Sequence, residues 1–402
     1  MFNVPKLRFG EFEGEYKEVK VGDICNCIVP GRNKPKKFDG DIPWITTPDI
    51  NSKYIFNPKE CLFIDRDEAK KIGSKIIPKD SVVMSCVGEL GVIAITKEPI
   101  VINQQLHAFL PSKVITSEFL NYSLLTQKKY MERVATKTTL LYMNKNSCNS
   151  IPILLPKLQE QKKISTYLTS IDKKIEQLNQ KSTLLESYKK GVMQKIFSQE
   201  IRFKRDDGGV FEDWVEKRLG KISTLTSSKR VYLSDYVKIG VPFYRGKEIS
   251  ELKLGIIPKD ILYISEERYE EYKLKYGVPM VNDLLITAVG TLCNVLKITD
   301  NKPFYFKDGN LIWIKNIEEN SSFLEILLHI YKRDIEKTSI GSTQRALTMV
   351  ELRKIKLPFP QLEEQQKISN FLTSIDQKIT QNNQALEEIR AFKKGLLQQM
   401  FV

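Results

Sequence analysis

Residues 158–175 read LQEQKKISTYLTSIDKKI, and residues 362–379 read LEEQQKISNFLTSIDQKI, 204 positions later. This internal duplication constrains the fold more than any other feature, because a chain written twice folds as two copies of one plan. Over 155–198 and 359–402 about half the positions are identical without a gap. The agreement ends at one landmark, YKKGVMQKIF at 188–197 against FKKGLLQQMF at 392–401. Upstream the likeness is fainter. GEYKEVKVGDI (14–24) resembles EDWVEKRLGKI (212–222), and DIPWITTPDI (41–50) resembles GVPFYRGKEI (240–249). SVVMSCVGELGV (81–92) resembles LLITAVGTLCNV (284–295) with one residue of slippage, and SEFLNYSLL (117–125) resembles SSFLEILLH (321–329). Each half is therefore a diverged globular head followed by a preserved helix. The reading sets a first head over 1–155, a first helical region over 156–200, a second head over 201–358 and a second helical region over 359–402.

In the preserved regions apolar residues recur in alternating steps of four and three. They are Ile164, Leu168, Ile171, Ile175, Leu178, Leu185, Val192 and Ile196 in the first. In the second they are Ile368, Leu372, Ile375, Ile379, Leu386, Ile389, Leu396 and Met400. This is a heptad seam, on helices of ~60 Å at 1.5 Å per residue. Pro156 and Pro360 stand just before each helix, where proline is tolerated. Duplicated units associate about two-fold axes, so antiparallel pairing is expected. A pair centred near Gln180 and Gln384 sets the polar seam residues Ser182 and Asn382 opposite each other, and Leu178 opposite Leu386. One such polar pair can fix alignment; a wet seam edge is the alternative. Identical residues at positions read as outward, Gln161 with Gln365 and Lys174 with Lys378, are consistent with one partner bound twice or with recent gene conversion.

A chain of 402 residues exceeds one ordinary core. Its formal charge of +14 suggests a polyanionic partner, most often nucleic acid, the alternative being a basic but uninvolved surface. The six cysteines, Cys25, Cys27, Cys61, Cys86, Cys148 and Cys293, form no CxxC pair and are expected as free, buried thiols. The start lacks the apolar core of a signal peptide, and no apolar run reaches the ~20 residues of a membrane span. A soluble, cytoplasmic protein is expected.

The heads read as mixed α and β. Strands are expected at Val82–Met84, Gly91–Thr96, Leu284–Thr287 and Leu311–Ile314, and helices at Glu118–Glu132 and Phe323–Glu336. Between them lie cationic or amide-rich loops. In the first head the candidate DNA contacts are Arg32, Asn33, Lys34, Lys36 and Lys37, then Thr46 and Thr47. Asn103, Gln104 and Gln105 follow, with Lys137, Thr138, Thr139 and Tyr142. In the second they are Lys229, Arg230, Arg245, Lys247, Asn310, Ser342, Thr343, Gln344 and Arg345. Asn and Gln pair bidentately with adenine and Arg with guanine, whereas Lys and hydroxyls suit phosphates. Two related heads on a basic chain, carried by long helices, form a caliper for two sites on one duplex.

At this point the whole chain resembles the specificity (S, HsdS) subunit of type I restriction–modification enzymes. The carrying residues are LPKLQEQKKI (155–164), FPQLEEQQKI (359–368), GSTQRALTMVELRKIKLPFP (341–360) and IPWITTPDI (42–50). The first head departs from GSTQR, reading KTTLL at 137–141. The resemblance implies an α+β fold: two mixed α/β target-recognition domains joined by two long helices that form an antiparallel coiled coil, with an internal pseudo-two-fold repeat. It implies a non-catalytic subunit whose domains each read half of a bipartite double-stranded DNA target. The helices would set the gap and dock two modification (methyltransferase) subunits. Restriction/translocase subunits join them, and S-adenosylmethionine, ATP and magnesium reside on those partners, none on this subunit. On this ruler model, one helical turn inserted near Gln180 lengthens the gap.

Enzyme readings find little support. There is no GxxxxGK[ST] phosphate loop, and Asn57-Pro58 is followed by Lys59-Glu60, unlike an amino-methyltransferase site. The two histidines, His107 and His329, offer no cluster for metal or triad chemistry and read as packing or polar contacts. Pro48-Asp49 with Glu68-Ala69-Lys70 mimics a magnesium nuclease motif, but ExK recurs at Glu15, Glu18, Glu251 and Glu271. A coiled-coil scaffold without a DNA role is the other alternative.

Overall fold

A computed structural model describes residues 4–31, 33–137, 139–341 and 345–401. The chain divides into two compact units, one running through Thr183 and resuming at Gln381, the other Leu184–Thr380. Each unit thus holds one head, the first half of the long helix that follows it and part of the other long helix. The long helices are Leu158–Phe197 and Leu362–Met400. Among the described residues no helix is long and apolar enough to cross a membrane.

In the first unit the order Cys25–Ile28, Leu106–Pro111, Val82–Ser85, Ile93–Thr96, Tyr54–Ile55 makes a five-stranded sheet, antiparallel except at the last pair. Phe63–Ile64, Ile42–Ile45 and Val101–Ile102 make a second sheet. Strand Lys17–Lys20 pairs with Pro152–Leu155 and brings the chain to the start of the long helix. The second unit repeats the plan. Thr224–Thr226, Leu311–Lys315, Leu284–Thr287 and Val295–Lys297 form one four-stranded sheet. Tyr236–Val237, Leu262–Ile264, Val241–Tyr244 and Tyr305–Phe306 form another, and Val215–Arg218 pairs with Lys356–Phe359. Gly40 and Gly240 lie just before equivalent strands, one position apart in register, and at each a Cβ would stand about 2 Å from the backbone of Ile64 or Ile264. Only glycine lets these segments approach so closely.

The expected strands fall within a residue or two of those observed. Each expected head helix is instead two, Ser117–Thr126 with Lys128–Val134, and Ser321–Ile330 with Lys332–Lys337. At the break the Gln127 and Tyr331 N–H groups are drawn to the carbonyls three and four residues earlier, and ψ rises to about 10°. The change in ψ ends the first segment and starts a second, a break that periodicity alone does not reveal.

The heptad seam is buried in its first turns and only half-buried at Ile175, Leu185, Val192, Ile379 and Ile389, and those first turns serve the heads as well as the helix pair. Ile164, Leu168 and Ile171 join Phe119, Tyr122 and Phe109 in one core, together with Leu396, Met400 and Phe401. Ile368, Leu372 and Ile375 do the same with Phe323, Leu327 and Phe359, and with Ile196. Pairing is antiparallel in each unit, marked by recurrent ion pairs. Lys393 meets Asp172 at 2.5 Å in the first unit, and Lys189 meets Asp376 at 2.5 Å in the second. The register differs in detail from expectation. Ser182 donates to Asn383 Oδ1 at 2.9 Å, and Asn382 is buried and donates to the Leu178 carbonyl at 2.9 Å. Ser182 and Asn382 are therefore not partners.

Gln161 and Gln365 do not face outward, so their identity needs no external partner. Both are fully buried. Gln161 accepts the Thr116 N–H at 3.1 Å and donates to the carbonyls of Val114 and Pro156. Gln365 accepts the Asn320 N–H at 3.0 Å and donates to the Pro360 carbonyl and the Glu319 carboxylate. The preceding glutamates are buried too. Arg8 grips Glu160 through two bonds of 2.8 Å, and Arg202 grips Glu364 at 3.2 and 2.8 Å. The preserved EQ dipeptide thus locks each helix to its own head. Lys174 and Lys378 do face solvent.

Candidate nucleic-acid interface

Parallel pairing of Ile42–Ile45 with Val101–Ile102 places the ends of two strands side by side. The chain leaves them at Thr46 and Asn103, and the Asn103 N–H donates to the Ile45 carbonyl at 2.9 Å. A cleft of about 420 Å³ opens there. Asn33, Lys34, Trp44, Thr46, Asn103, Gln104 and Gln105 line it, so six of the sequence candidates converge. Gln105 Oε1 accepts from Thr47 Oγ1 at 3.2 Å and from Asn103 Nδ2 at 3.3 Å, which orients the amides. Lys36 and Lys37 are exposed beside it on the same loop.

The second unit builds the same corner with other chemistry. Val241–Tyr244 and Tyr305–Phe306 run parallel, and the Lys307 N–H donates to the Tyr244 carbonyl at 2.9 Å. Arg245 stands where Thr46 does, and Lys307 where Asn103 does. Sequence reading missed Lys307, because the loop is one residue longer here (Lys307 to Asn310 against Asn103 to Gln105) and only strand pairing aligns them. Arg245 is held by Glu248, with its Nη2 2.5 Å from the carboxylate, and that carboxylate also caps the following helix by accepting the Arg245 N–H at 2.7 Å. This pairing raises the Arg245 pKa further. Lys247 lies 3.7 Å from Glu251. Ser228 donates to the Phe306 carbonyl and Lys229 N–H to the Tyr305 hydroxyl, which lays Lys229 and Arg230 next to this corner. Arg230 is two-thirds exposed and bonded to Asp308 at 2.9 Å.

A hairpin extends each corner. The Cys86 N–H donates to the Gln105 carbonyl at 2.8 Å, and the Cys86 carbonyl accepts the Met143 N–H at 2.9 Å. Ala288 makes the matching bonds, with the Asn310 carbonyl and the Leu347 N–H, both at 2.8 Å. The hairpins therefore superpose in register: Thr136 pairs with Tyr142, and Ile340 with Ala346. The described residues on either side of KTTLL and GSTQR are thus paired equivalently in the two heads. Gly88 and Gly290, with φ of +77° and +81°, turn the backbone beside each hairpin, as glycine does without strain. Thr139, Tyr142 and Arg345 are exposed on these hairpins. Arg32, Thr138, Ser342, Thr343, Gln344 and the side chain of Lys137 lie outside the described residues.

The nuclease-like carboxylates have local work. Asp49 accepts the Thr46 and Lys59 N–H groups, each at 2.7 Å, and Thr46 Oγ1 at 2.6 Å. Glu68, also buried, accepts the Lys36 N–H at 2.6 Å. Glu248 is the counterpart of Asp49, so the acid is a turn cap common to both heads. One gathering of ligand-type side chains did escape the sequence reading: Cys86, His107 and Cys148, all buried, come together in the first head. Their separations of 21 and 41 residues match no local metal-binding spacing. Burial pushes the Cys86 thiol well up, whereas the side-chain hydrogen bond with Cys86, joined by His107, holds the Cys148 thiol below its ordinary value.

Comparison with known proteins agrees with this architecture. The type I restriction enzyme MjaVIII specificity subunit of Methanocaldococcus jannaschii is 24% identical, over 95% of this chain and 91% of its own. The MjaX specificity subunit of the same organism is 30% identical over 67% of this chain and 62% of its own. The crystal structure of a type I restriction–modification S subunit from M. genitalium has the same fold, with a TM-score of 0.64 over 99% of each chain at 16% identity. The profile of the type I restriction modification DNA specificity domain matches twice, at residues 13–187 and 211–391. With both heads and most of both long helices inside those matches, the chain belongs to the type I restriction modification DNA specificity domain family.

Proposed function

We propose that this chain is the non-catalytic DNA-reading subunit of a type I restriction–modification complex, each head reading one half of a bipartite target. The observation that carries the reading is the duplicated corner: one backbone scaffold presents amides in the first head and cations in the second. Asn103 and Gln105 suit the N6 and N7 edge of adenine, and Arg345 suits guanine or a narrow groove. Lys34, Lys36, Lys37, Lys229 and Lys307 suit phosphates. The paired helices set the gap between half-sites and carry two methyltransferase subunits on their exposed faces, where Lys174 and Lys378 recur. Restriction/translocase subunits complete the assembly in the cytoplasm. S-adenosylmethionine, ATP and magnesium act on those partners.

The test is genome-wide mapping of N6-methyladenine in cells carrying this chain and its cognate methyltransferase subunit. A split motif of constant gap, lost on deletion of this chain, is the expected result. Copurification with the methyltransferase but no such motif, with DNA binding insensitive to salt, would instead make the chain a scaffold.

A further inference from the structure

The first head carries a buried thiol and imidazole cluster that its sister head does without. Cys86 follows strand Val82–Ser85, His107 lies on Leu106–Pro111, and Cys148 lies in the short helix Lys145–Asn149. Cys86 Sγ is 3.5 Å from Cys148 Sγ, and His107 Nδ1 is 3.2 Å from Cys148 Sγ. All three ligand atoms lie within 4.8 Å of one another. Cys27, buried on the neighbouring strand, is paired with Phe109 and so faces the same side of the sheet as His107. Burial and the Cys148 sulfur push its thiol up to about 12.

Backbone register identifies the counterparts in the second head. Leu225 pairs with Ile314 as Cys27 does with Phe109, and Ile312 pairs with Ile286 as His107 does with Met84. Ala288 makes the two backbone bonds of Cys86, and the Leu352 N–H bonds Thr348 as the Cys148 N–H bonds Asn144. Cys27, Cys86, His107 and Cys148 thus stand where Leu225, Ala288, Ile312 and Leu352 stand. The fold is satisfied by four apolar side chains here. A buried thiol packs as a small apolar side chain, but the buried imidazole of His107, where the sister head has Ile312, is a polar group that needs a partner.

We propose that Cys86, His107 and Cys148 form a site for one zinc-class divalent ion, with Cys27, which stands outside the three-residue cluster, drawn in as fourth donor on binding. Tetrahedral zinc, with Zn–S near 2.3 Å and Zn–N near 2.0 Å, sets sulfurs about 3.8 Å apart and sulfur and nitrogen about 3.5 Å apart. The two separations from the Cys148 sulfur, 3.5 Å and 3.2 Å, lie within a few tenths of an ångström of these edges. A sulfur-rich set with one imidazole favours zinc over the oxygen-seeking magnesium and calcium. On binding, the thiols release their protons to solvent and the ion ties four chain segments together. Because Cys86 also bonds the Gln105 carbonyl and the Met143 N–H, the ion would brace the corner from behind.

The test uses the full chain purified under reducing conditions. Elemental analysis should find one zinc per chain. Exchange for Co²⁺ should give thiolate-to-cobalt charge-transfer absorption. Exchanging the four residues for their second-head counterparts (Cys27→Leu, Cys86→Ala, His107→Ile, Cys148→Leu) should give a folded chain without bound metal or cobalt spectrum. If that variant does not fold, Cys148→Ser provides the same readout with little change in volume. Wild-type protein that takes up no stoichiometric Zn²⁺ or Co²⁺, that holds a Cys86–Cys148 disulfide instead, or whose metal content survives the exchanges would overturn the site.

Discussion

Replacing Asn382 with leucine should make the first unit more stable. The residue is 4% exposed in the helix pair. Its Nδ2 donates one bond to the Leu178 carbonyl at 2.9 Å, while its Oδ1 meets no donor. Leu178 lies inside a continuous helix, so its carbonyl keeps its ladder bond when the side-chain donor is removed. The substitution loses one hydrogen bond, about 1 kcal/mol, and relieves a desolvated acceptor costing about 1–3 kcal/mol. It also buries an isobutyl group worth about 1.5–3 kcal/mol. Imperfect fit of the branched side chain offsets part of this, leaving a net gain of about 1–3 kcal/mol. Urea unfolding of the full chain should show a raised midpoint with unchanged slope. What leucine removes is alignment. A disulfide between Ser182→Cys and Asn383→Cys, side chains in contact in the observed register, should form in lower yield once Asn382 is leucine. A midpoint lowered by more than about 1 kcal/mol would mean that the Asn382 oxygen is satisfied and the reasoning wrong. Unchanged crosslinking would separate Asn382 from register control.

Gln161→Ala should destabilise the first unit by about 2–4 kcal/mol, because it strands the Thr116 N–H and the carbonyls of Val114 and Pro156; Gln365→Ala should do the same in the second, and calorimetry would resolve both. Burial lowers the Lys53 ammonium to about 8, against the pull of Asp172. Between that value and the unfolded ~10.4 the unfolded chain holds the extra proton, so stability should rise with pH through this window. Lys53→Met should flatten the rise, read as urea midpoints at pH 7.5 and 9.5; an equal slope in both proteins would show that Lys53 titrates normally. Neutralising Lys34, Lys36 and Lys37 together should weaken DNA binding for all sequences and reduce the slope of log affinity against log salt by up to ~0.9 per lost phosphate contact. Gln105→Ala should instead relax the methylated motif at one position of one half-site, as methylation mapping would reveal.

Duplication, the two long helices and their apolar seam were legible in the sequence because they rest on periodicity, which survives in one dimension. The identity of Gln161 with Gln365 was visible too, but its meaning was not: a glutamine among charged residues reads as surface until its head folds over it. The candidate contacts were recognisable as residue types, and the loop carrying Asn103 to Gln105 was read as polar. Lys307 was missed because strand pairing is what brings it into correspondence with Asn103. His107 read as an isolated histidine, and two strands and a short helix were needed to bring it to Cys86 and Cys148. Local pattern thus determined which elements form and that they form twice. Tertiary contact decided which distant side chains meet, since sequence separation carries no information about proximity once the sheets have closed.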